Sequence, residues 1–219
     1  MSGAIALLAQ DVSIAAETVT MPGLLRMPPA AKGLVLFAHG SGSSRFSPRN
    51  TLVANLLGRA KFATLLFDLL TPKEEQIDSV TRELRFNIAL LTERLVDATR
   101  WVLKEPRLKE LALGYFGAST GAAAALAAAA RVPEVCAVVS RGGRPDLAGA
   151  ALADVRAATL LIVGAADREV LELNRQALAQ LRCVARLEVV PHATHLFEEP
   201  GTLEKVGALA AEWFARYLV

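Results

Sequence analysis

The chain has 219 residues, of which 53% are hydrophobic and 21% are charged. This composition excludes an intrinsically disordered protein, and the length suits a single domain spanning 1–219. The formal net charge is only +2 and the basic residues are scattered, so we expect no nucleic-acid partner.

The N-terminal stretch MSGAIALLAQD contains a short apolar run with no basic segment before it. It does not fit a signal peptide and is too short to cross a bilayer, so we predict a cytoplasmic protein without a membrane partner. Cys136 and Cys183 lie in apolar runs without Cys-x-x-Cys spacing, and we expect both to be buried free thiols.

Strand patterns begin near the N-terminus, where residues 11–28 predict one or two weaker strands that add an antiparallel edge to a sheet. Six stronger apolar runs follow. Their near-continuous hydrophobicity is typical of strands that are buried on both faces. These predicted strands cover 33–39, 62–69, 110–117, 135–140, 159–165 and 186–191.

Helical patterns alternate with these strands. The best marked is an apolar stripe from Leu84 to Val102 with steps of three and four, which predicts a helix of about six turns that Pro106 ends. Other predicted helices cover 48–60, 120–131, 169–182 and 202–218. The alternation predicts an α/β fold, a three-layer sandwich of a mostly parallel sheet with helices on both faces.

The segment between the strands at 135–140 and 159–165 is short. Residues 141–158 leave room for one short helix and its loops. We therefore predict that the fold has no cap domain and that its ligand site is open, at the carboxyl ends of the strands.

A candidate nucleophile lies in the sequence GASTG, where Ser119 occupies the centre of a Gly-x-Ser-x-Gly motif. An apolar strand precedes the motif and an alanine-rich helix follows it, which is the setting of a nucleophile elbow. A serine hydroxyl needs a base and an orienting carboxylate to act as a nucleophile. The alternative is that Ser119 is only the N-cap of the helix.

Three histidines are candidates for the base. His192 and His195 lie in PHATHLFEEPG, between the last predicted strand and the last helix, and His39 ends the first parallel strand. We favour His195, because its position matches that of triad histidines that precede the last helix. We assign His192 to the rim of the site, and we expect His39 to brace the loop that follows it.

A candidate acid is Asp167, just past the carboxyl end of a predicted strand. The chain order Ser119, Asp167, His195 is the order that a serine hydrolase of this architecture uses. Asp167 could instead cap the following helix, in which case Asp68 at the end of another strand would supply the carboxylate.

Five segments carry a resemblance to a known family: FAHGSGSSR, GASTG, SRGGRP, GAAD and ATHLFEEPG. From about residue 33 to the C-terminus the chain resembles the α/β-hydrolase superfamily, in particular its dienelactone-hydrolase-like branch. The resemblance implies a catalytic triad of Ser119, Asp167 and His195. It also implies an oxyanion hole formed by the N–H groups of Ser41 and Thr120.

The sequence departs from dienelactone hydrolases proper at the nucleophile. Those enzymes use a cysteine paired with a glutamate near the first parallel strand, whereas this chain has Ser119 and no acid in LFAHGSGSSR. We therefore expect a carboxylesterase that cleaves short-chain or aryl esters through an acyl-enzyme. Hydrolysis of lactones, including dienelactone, or of phosphotriesters is the alternative, and a binding protein that has lost catalysis is a more distant one.

Four polar residues are candidates for contacts to the substrate. The arginines are placed to steer an anionic substrate, although pairing with Asp68 or Asp146 is an equally good interpretation. The four are Arg45, Arg141, Arg144 and His192.

Two other classes of site fit the sequence poorly. GSGSSR resembles a dinucleotide-binding loop, but Arg45 stands where the third small residue should be. His192-x-x-His195 together with His39 could suggest zinc, but neither HExxH nor a cysteine pair is present. We therefore expect neither a cofactor nor a metal.

Overall fold

The sheet has eight strands in the part of the chain that the computed structural model describes, residues 8–16 and 18–218. The strands are β1 (Gln10–Ala15), β2 (Thr20–Arg26), β3 (Leu34–Ala38), β4 (Ala63–Phe67), β5 (Leu113–Ala118), β6 (Val135–Arg141), β7 (Ala158–Gly164) and β8 (Ala185–Val190). Their order across the sheet is β1-β2-β4-β3-β5-β6-β7-β8.

The sheet is parallel from β4 to β8, and β2 joins it antiparallel to both β1 and β4. The predicted antiparallel edge and the mostly parallel sheet are therefore confirmed. Most of the N-terminal apolar stretch, and with it the signal-peptide prediction, lies outside the described residues. None of the described helices is both long and apolar enough to span a bilayer.

The helices are α1 (Pro48–Arg59), α2 (Pro72–Thr81), α3 (Ile88–Lys104), α4 (Thr120–Ala129), α5 (Arg168–Gln180) and α6 (Thr202–Tyr217). They cover both faces of the sheet because successive strand residues point to opposite sides. In β3, Leu36 belongs to the core under α3 and α4, while its neighbour Phe37 belongs to the core under α1 and α6. This three-layer arrangement is the one that the sequence predicts.

No cap domain interrupts the described chain between β6 and β7. The connection contains a short 3₁₀ segment, Pro145–Asp154, with a kink at Gly149. The carboxyl ends of the central strands are therefore not covered by an inserted domain, as the short connection predicts.

The structure differs from the prediction before α3. Leu84 lies in a separate 3₁₀ turn, and α3 begins only at Ile88, where the Asn87 side chain caps the Leu90 N–H at 3.0 Å. The helix α2 was not predicted, since its pattern is mostly polar. Its start carries a recognisable signal nonetheless: Thr71 and Glu74 form a reciprocal capping box.

The expectation of two buried cysteines is wrong. Both thiols are free, but Cys136 is exposed and Cys183 is only half-buried. The register between β5 and β6 passes from Leu113 paired with Val135 to Gly114 paired with Ala137, so Cys136 is the extra residue of a bulge. A bulged residue leaves the regular ladder, so the apolar run around it does not place its side chain in the core.

Candidate active site

The candidate site lies where the carboxyl ends of β3, β5, β6, β7 and β8 meet at one edge of the sheet. Parallel strands place the loops that follow them side by side, so residues far apart in sequence become neighbours. Ser119 follows β5, Asp167 follows β7 and His195 follows β8. The structure therefore brings the three predicted triad residues to the same place.

Ser119 occupies a sharp turn between β5 and α4. Its backbone has φ 51° and ψ −121°, a conformation that a non-glycine residue rarely adopts. Its side chain makes no capping hydrogen bond to α4. Ser119 therefore does not act as an ordinary N-cap, because its hydroxyl does not bind the first turn of α4.

The two glycines of the motif permit this turn by leaving room for backbone. A Cβ on Gly117 would lie 2.4 Å from the Cα of Ala122, and one on Gly121 would lie 2.2 Å from the carbonyl oxygen of Ala38. These separations are far below van der Waals contact, and both obstructing atoms belong to the backbone. The spacing Gly-x-Ser-x-Gly is thus a steric requirement of this strand-turn-helix unit.

The hydroxyl, imidazole and carboxylate form one hydrogen-bonded chain. His195 Nε2 lies 3.3 Å from Ser119 Oγ, and His195 Nδ1 lies 2.7 Å from Asp167 Oδ2. Asp167 stands at the N-cap of α5 but makes no capping hydrogen bond with its side chain. Its carboxylate instead faces His195, an arrangement that would hold the imidazole with Nε2 toward the serine.

The loops that carry the acid and the base are tied to each other. The Ala166 N–H donates to the Ala193 carbonyl at 3.0 Å, and these residues lie one position before Asp167 and two before His195. Glu199 accepts a hydrogen bond from the Thr194 N–H at 3.1 Å. Hydrogen bonding from the Thr194 side chain, and then from the backbone N–H groups of Glu199 and Thr194, holds the pKa of the Glu199 carboxyl below its usual value. The loop is thus braced from both sides of His195.

The competing candidates have other roles. His192 is exposed and makes no hydrogen bond to Ser119 or Asp167. The Asp68 carboxylate pairs with Arg45 and also accepts the Arg45 N–H at 2.7 Å. Neither the second histidine nor the second aspartate belongs to the hydrogen-bonded chain.

His39 is a buried structural residue, as expected from its position before the glycine-rich loop. Its Nε2 accepts the Leu69 N–H at 3.1 Å, and its Nδ1 lies 3.0 Å from the Gly40 carbonyl oxygen, to which an N–H there can donate. Burial lowers the pKa of His39, which keeps the ring neutral and able to accept at one nitrogen while donating at the other. The ring thus links the start of this loop to the end of β4.

The backbone donors predicted for an oxyanion hole lie beside Ser119. Thr120 is the first residue of α4, and Ser41 lines the same cleft as Ser119 and His195. Within the described residues, the N–H groups of Ser41 and Thr120 donate no hydrogen bond to another protein atom. Both are therefore free to bind an oxygen that develops negative charge.

The cleft around Ser119 has a volume of about 200 Å³. Of the four predicted substrate contacts, Arg141 lines it, whereas Arg45, Arg144 and His192 do not. Arg45 pairs with Asp68, and Arg144 donates two hydrogen bonds to Asp146 at 2.8 and 2.9 Å. The alternative of scaffold pairing therefore describes these two arginines.

Two cleft residues were missed from the sequence. Arg49 and Asn50, in the first turn of α1, line the cleft, and Arg49 also contacts Glu198 of the loop that carries His195. The sequence signal for this helix start is Ser47 followed by Pro48, with the Ser47 hydroxyl accepting the Asn50 N–H at 3.3 Å. This signal predicts the start of the helix but not that its first turn faces Ser119.

Metal-binding side chains do not cluster in the described part of the chain. Among the residues that the structure describes, no group of three His, Cys, Asp or Glu side chains could hold an ion. The candidate site itself presents a hydroxyl, an imidazole and a carboxylate in one hydrogen-bonded chain.

One curated relative is similar in sequence to nearly the whole chain. A protein of Mycobacterium tuberculosis that carries the provisional name phosphoribosyl transferase is 56% identical over 211 residues, which are 95% of this chain. The chain spans 46% of the length of that relative.

Two solved structures are also similar. A dienelactone hydrolase from Anabaena variabilis is 57% identical, with a TM-score of 0.95 over 97% of this chain and 99% of that one. A dienelactone hydrolase-like promiscuous phosphotriesterase from metagenomic libraries is 15% identical, with a TM-score of 0.78 over 97% of this chain and 99% of that one. This second likeness concerns the fold.

The family is decided by a model that covers most of the chain. The model of the dienelactone hydrolase family matches residues 23–217, which include β3 to β8 and every residue of the candidate site. Together with the close likeness to the Anabaena variabilis structure, this match places the chain in the dienelactone hydrolase family.

Proposed function

We propose that the protein is a serine carboxylesterase that cleaves small esters through an acyl-enzyme. The observation that carries the proposal is the hydrogen-bonded chain from Ser119 Oγ through His195 to Asp167, at 3.3 and 2.7 Å. Membership of a hydrolase family supports the reaction class. The substrate would be a small ester, and the proposed steps use groups of the protein and water.

In the proposed mechanism, His195 Nε2 removes the Ser119 proton while Oγ attacks the ester carbonyl. The Asp167 carboxylate stabilises the imidazolium that forms, and the N–H groups of Ser41 and Thr120 bind the oxyanion. His195 then donates the proton to the leaving alcohol. Water repeats the attack on the acyl-enzyme and releases the acid and the free serine.

A fluorophosphonate reagent tests the nucleophile directly. We expect stoichiometric labelling at Ser119, identified by peptide mass spectrometry, because the reagent traps a serine that a neighbouring base activates. Labelling at another serine, or none at all, would contradict the proposal and favour a binding protein with a hydrolase fold.

The acid is tested by Asp167→Asn. The Asp167 side chain makes no capping hydrogen bond, so the start of α5 should be unaffected, but the imidazolium loses its carboxylate. We expect kcat for an activated ester to fall by about a hundredfold or more. The matched control is Asp68→Asn, whose carboxylate pairs with Arg45, and it should cost less than tenfold. The reverse ranking would assign the acid to Asp68.

Substrate length is the next prediction. The cleft of about 200 Å³ has no cap domain above it, so it can bury little of a long acyl chain. Each methylene left in water forgoes about 0.8 kcal/mol of binding. Across a series of 4-nitrophenyl esters, kcat/KM should be highest between acetate and hexanoate, and a maximum at dodecanoate would contradict the open-site interpretation.

Lactone hydrolysis is the second candidate function. It is favoured by the family and by the 57% identity to a protein described as a dienelactone hydrolase. A lactone and a phosphotriester measured beside the ester series would rank the three substrate classes. The provisional transferase name of the mycobacterial relative is not carried over, because that protein is more than twice as long as the matched segment.

A further inference from the structure

Arg141 is a buried cation beside the nucleophile. It ends β6, where it is the neighbour of Ala118 across the sheet, and its carbonyl accepts the Ser119 N–H at 3.3 Å. The residue is 4% exposed and lines the cleft. Within the described residues, its guanidinium makes one side-chain hydrogen bond, 3.4 Å from Nη2 to Asn50 Oδ1, and its Nε has no partner.

Arg141 also differs from the arginines near it in having no acidic partner. Acidic partners are present for Arg45 (Asp68), Arg49 (Glu198) and Arg144 (Asp146). In the described part of the chain, no carboxylate forms such a pair with Arg141. A buried charge is costly unless it is paired, so this guanidinium is arranged for an anion that enters from the cleft.

A second guanidinium adds positive charge to the same cleft. Burial, and then the nearby charge of Arg49, lower the pKa of Arg141 to about 10, which still leaves it charged at neutral pH. The Nε of Arg49 is also buried without a partner, and its contact with the exposed Glu198 is a long 3.5 Å pair. The residues that line the cleft include no aspartate or glutamate.

The helix α1 adds to this field. Arg49 and Asn50 lie in its first turn, which contains no acidic residue, and the N-terminal end of a helix favours negative charge. The phenyl ring of Phe197 lies on another side of Arg141, with its centroid 6.0 Å from the guanidinium carbon, and offers no competing anion.

We propose that Arg141 and Arg49 form an anion subsite of the ester-cleaving cleft, which selects substrates that carry a carboxylate or a phosphate group close to the scissile ester. The selection rests on the proposed esterase function. The anion binds the guanidinium of Arg141 by charge-assisted hydrogen bonds, and Arg49 adds a second donor from the first turn of α1. Because Arg141 adjoins the elbow, only a short spacer separates the acidic group from the ester carbonyl.

The experiment compares three methyl esters of similar length with the purified protein. These are monomethyl succinate, methyl 3-phosphonopropanoate and the neutral methyl pentanoate, with hydrolysis followed by proton NMR. We expect kcat/KM for at least one anionic ester to exceed that of the neutral ester by about tenfold or more, chiefly through KM. The better of the two anionic esters identifies the carboxylate or the phosphate as the preferred group.

The variants assign the preference to the subsite. In Arg141→Gln the ratio of anionic to neutral kcat/KM should fall by about tenfold or more, and Arg141→Lys should restore part of it. Arg49→Gln, on a half-exposed side chain, should lower the ratio by a smaller factor and serves if Arg141→Gln does not fold. The matched control Arg144→Gln removes an arginine that is paired outside the cleft and should keep the ratio.

Binding without turnover separates this proposal from the esterase proposal. Calorimetry with Ser119→Ala should show tighter binding of the preferred anionic ester than of methyl pentanoate, and the difference should be lost in Ser119→Ala/Arg141→Gln. Equal affinity for anionic and neutral esters, or a preference that Arg141→Gln retains, would overturn the subsite. If the wild-type protein cleaves no ester yet binds the anion through Arg141, the subsite stands and the esterase proposal fails.

Discussion

Ser119→Ala is expected to reduce kcat for an activated ester by at least about a thousandfold, which corresponds to about 4 kcal/mol of lost transition-state stabilisation. The reason is that Ser119 Oγ is the atom aligned with His195 Nε2 at 3.3 Å, and alanine leaves the imidazole with nothing to deprotonate. Steady-state hydrolysis of 4-nitrophenyl acetate measures the loss. Residual activity would come from the backbone donors and from binding alone.

The matched control for this variant is Ser79→Ala. Ser79 is an exposed serine of α2 whose hydroxyl donates only to the Gln76 carbonyl, so its removal should leave kcat within twofold. Circular dichroism and thermal melts of both variants check that the fold is retained. Activity of Ser119→Ala close to that of the wild type would remove the central claim of an acyl-enzyme at this residue.

His195→Ala is expected to match Ser119→Ala in the size of its effect. The imidazole is the base in one half of the reaction and the acid in the other, so its loss stops both. The double variant Ser119→Ala/His195→Ala should be no worse than either single variant, because members of a triad act as a unit and their losses do not add. The same nitrophenyl assay measures all three proteins.

The control for the base is the neighbouring histidine. His192→Ala removes an exposed side chain that makes no hydrogen bond to Ser119 or Asp167. The backbone of His192 has a φ of 62°. The substitution should change kcat less than threefold. A large loss in His192→Ala with little effect in His195→Ala would mean that the loop between β8 and α6 adopts another register during turnover. Additive losses in the double variant would argue against a coupled triad.

Local patterns in the sequence predict most of the scaffold. The strands β3 to β7 are each mainly one apolar run, and the helices that cover the sheet carry apolar stripes or alanine, so hydrophobic patterns identify them. Errors arise where local and tertiary signals compete. The apolar stripe from Leu84 continues into α3 with the same spacing, but Asn87 caps the helix, so α3 begins after it. The helix α2 has no apolar face. It is stabilised by its capping box and by the ion pair of the buried Asp78 with Arg85.

The candidate triad was predictable because its signals are local. Gly117 and Gly121 are required by contacts within one strand-turn-helix unit, and the chain order of serine, acid and base follows from the order of the strands. The sequence could not choose between Asp167 and Asp68, since both follow a strand. The structure distinguishes them by the 2.7 Å contact of Asp167 with His195 and the pairing of Asp68 with Arg45.

The sequence by itself therefore determined the layers, the elbow and the position of the candidate nucleophile, because each depends on residues close together in the chain. Only the tertiary structure decided which charged groups meet. Arg45 and Arg144 form ion pairs with Asp68 and Asp146. Arg141 is buried at the end of β6 and lines the cleft together with Arg49 of α1. Charge pairing depends on distances between loops of different strands, and those distances exist only once the sheet has brought the loops to one edge.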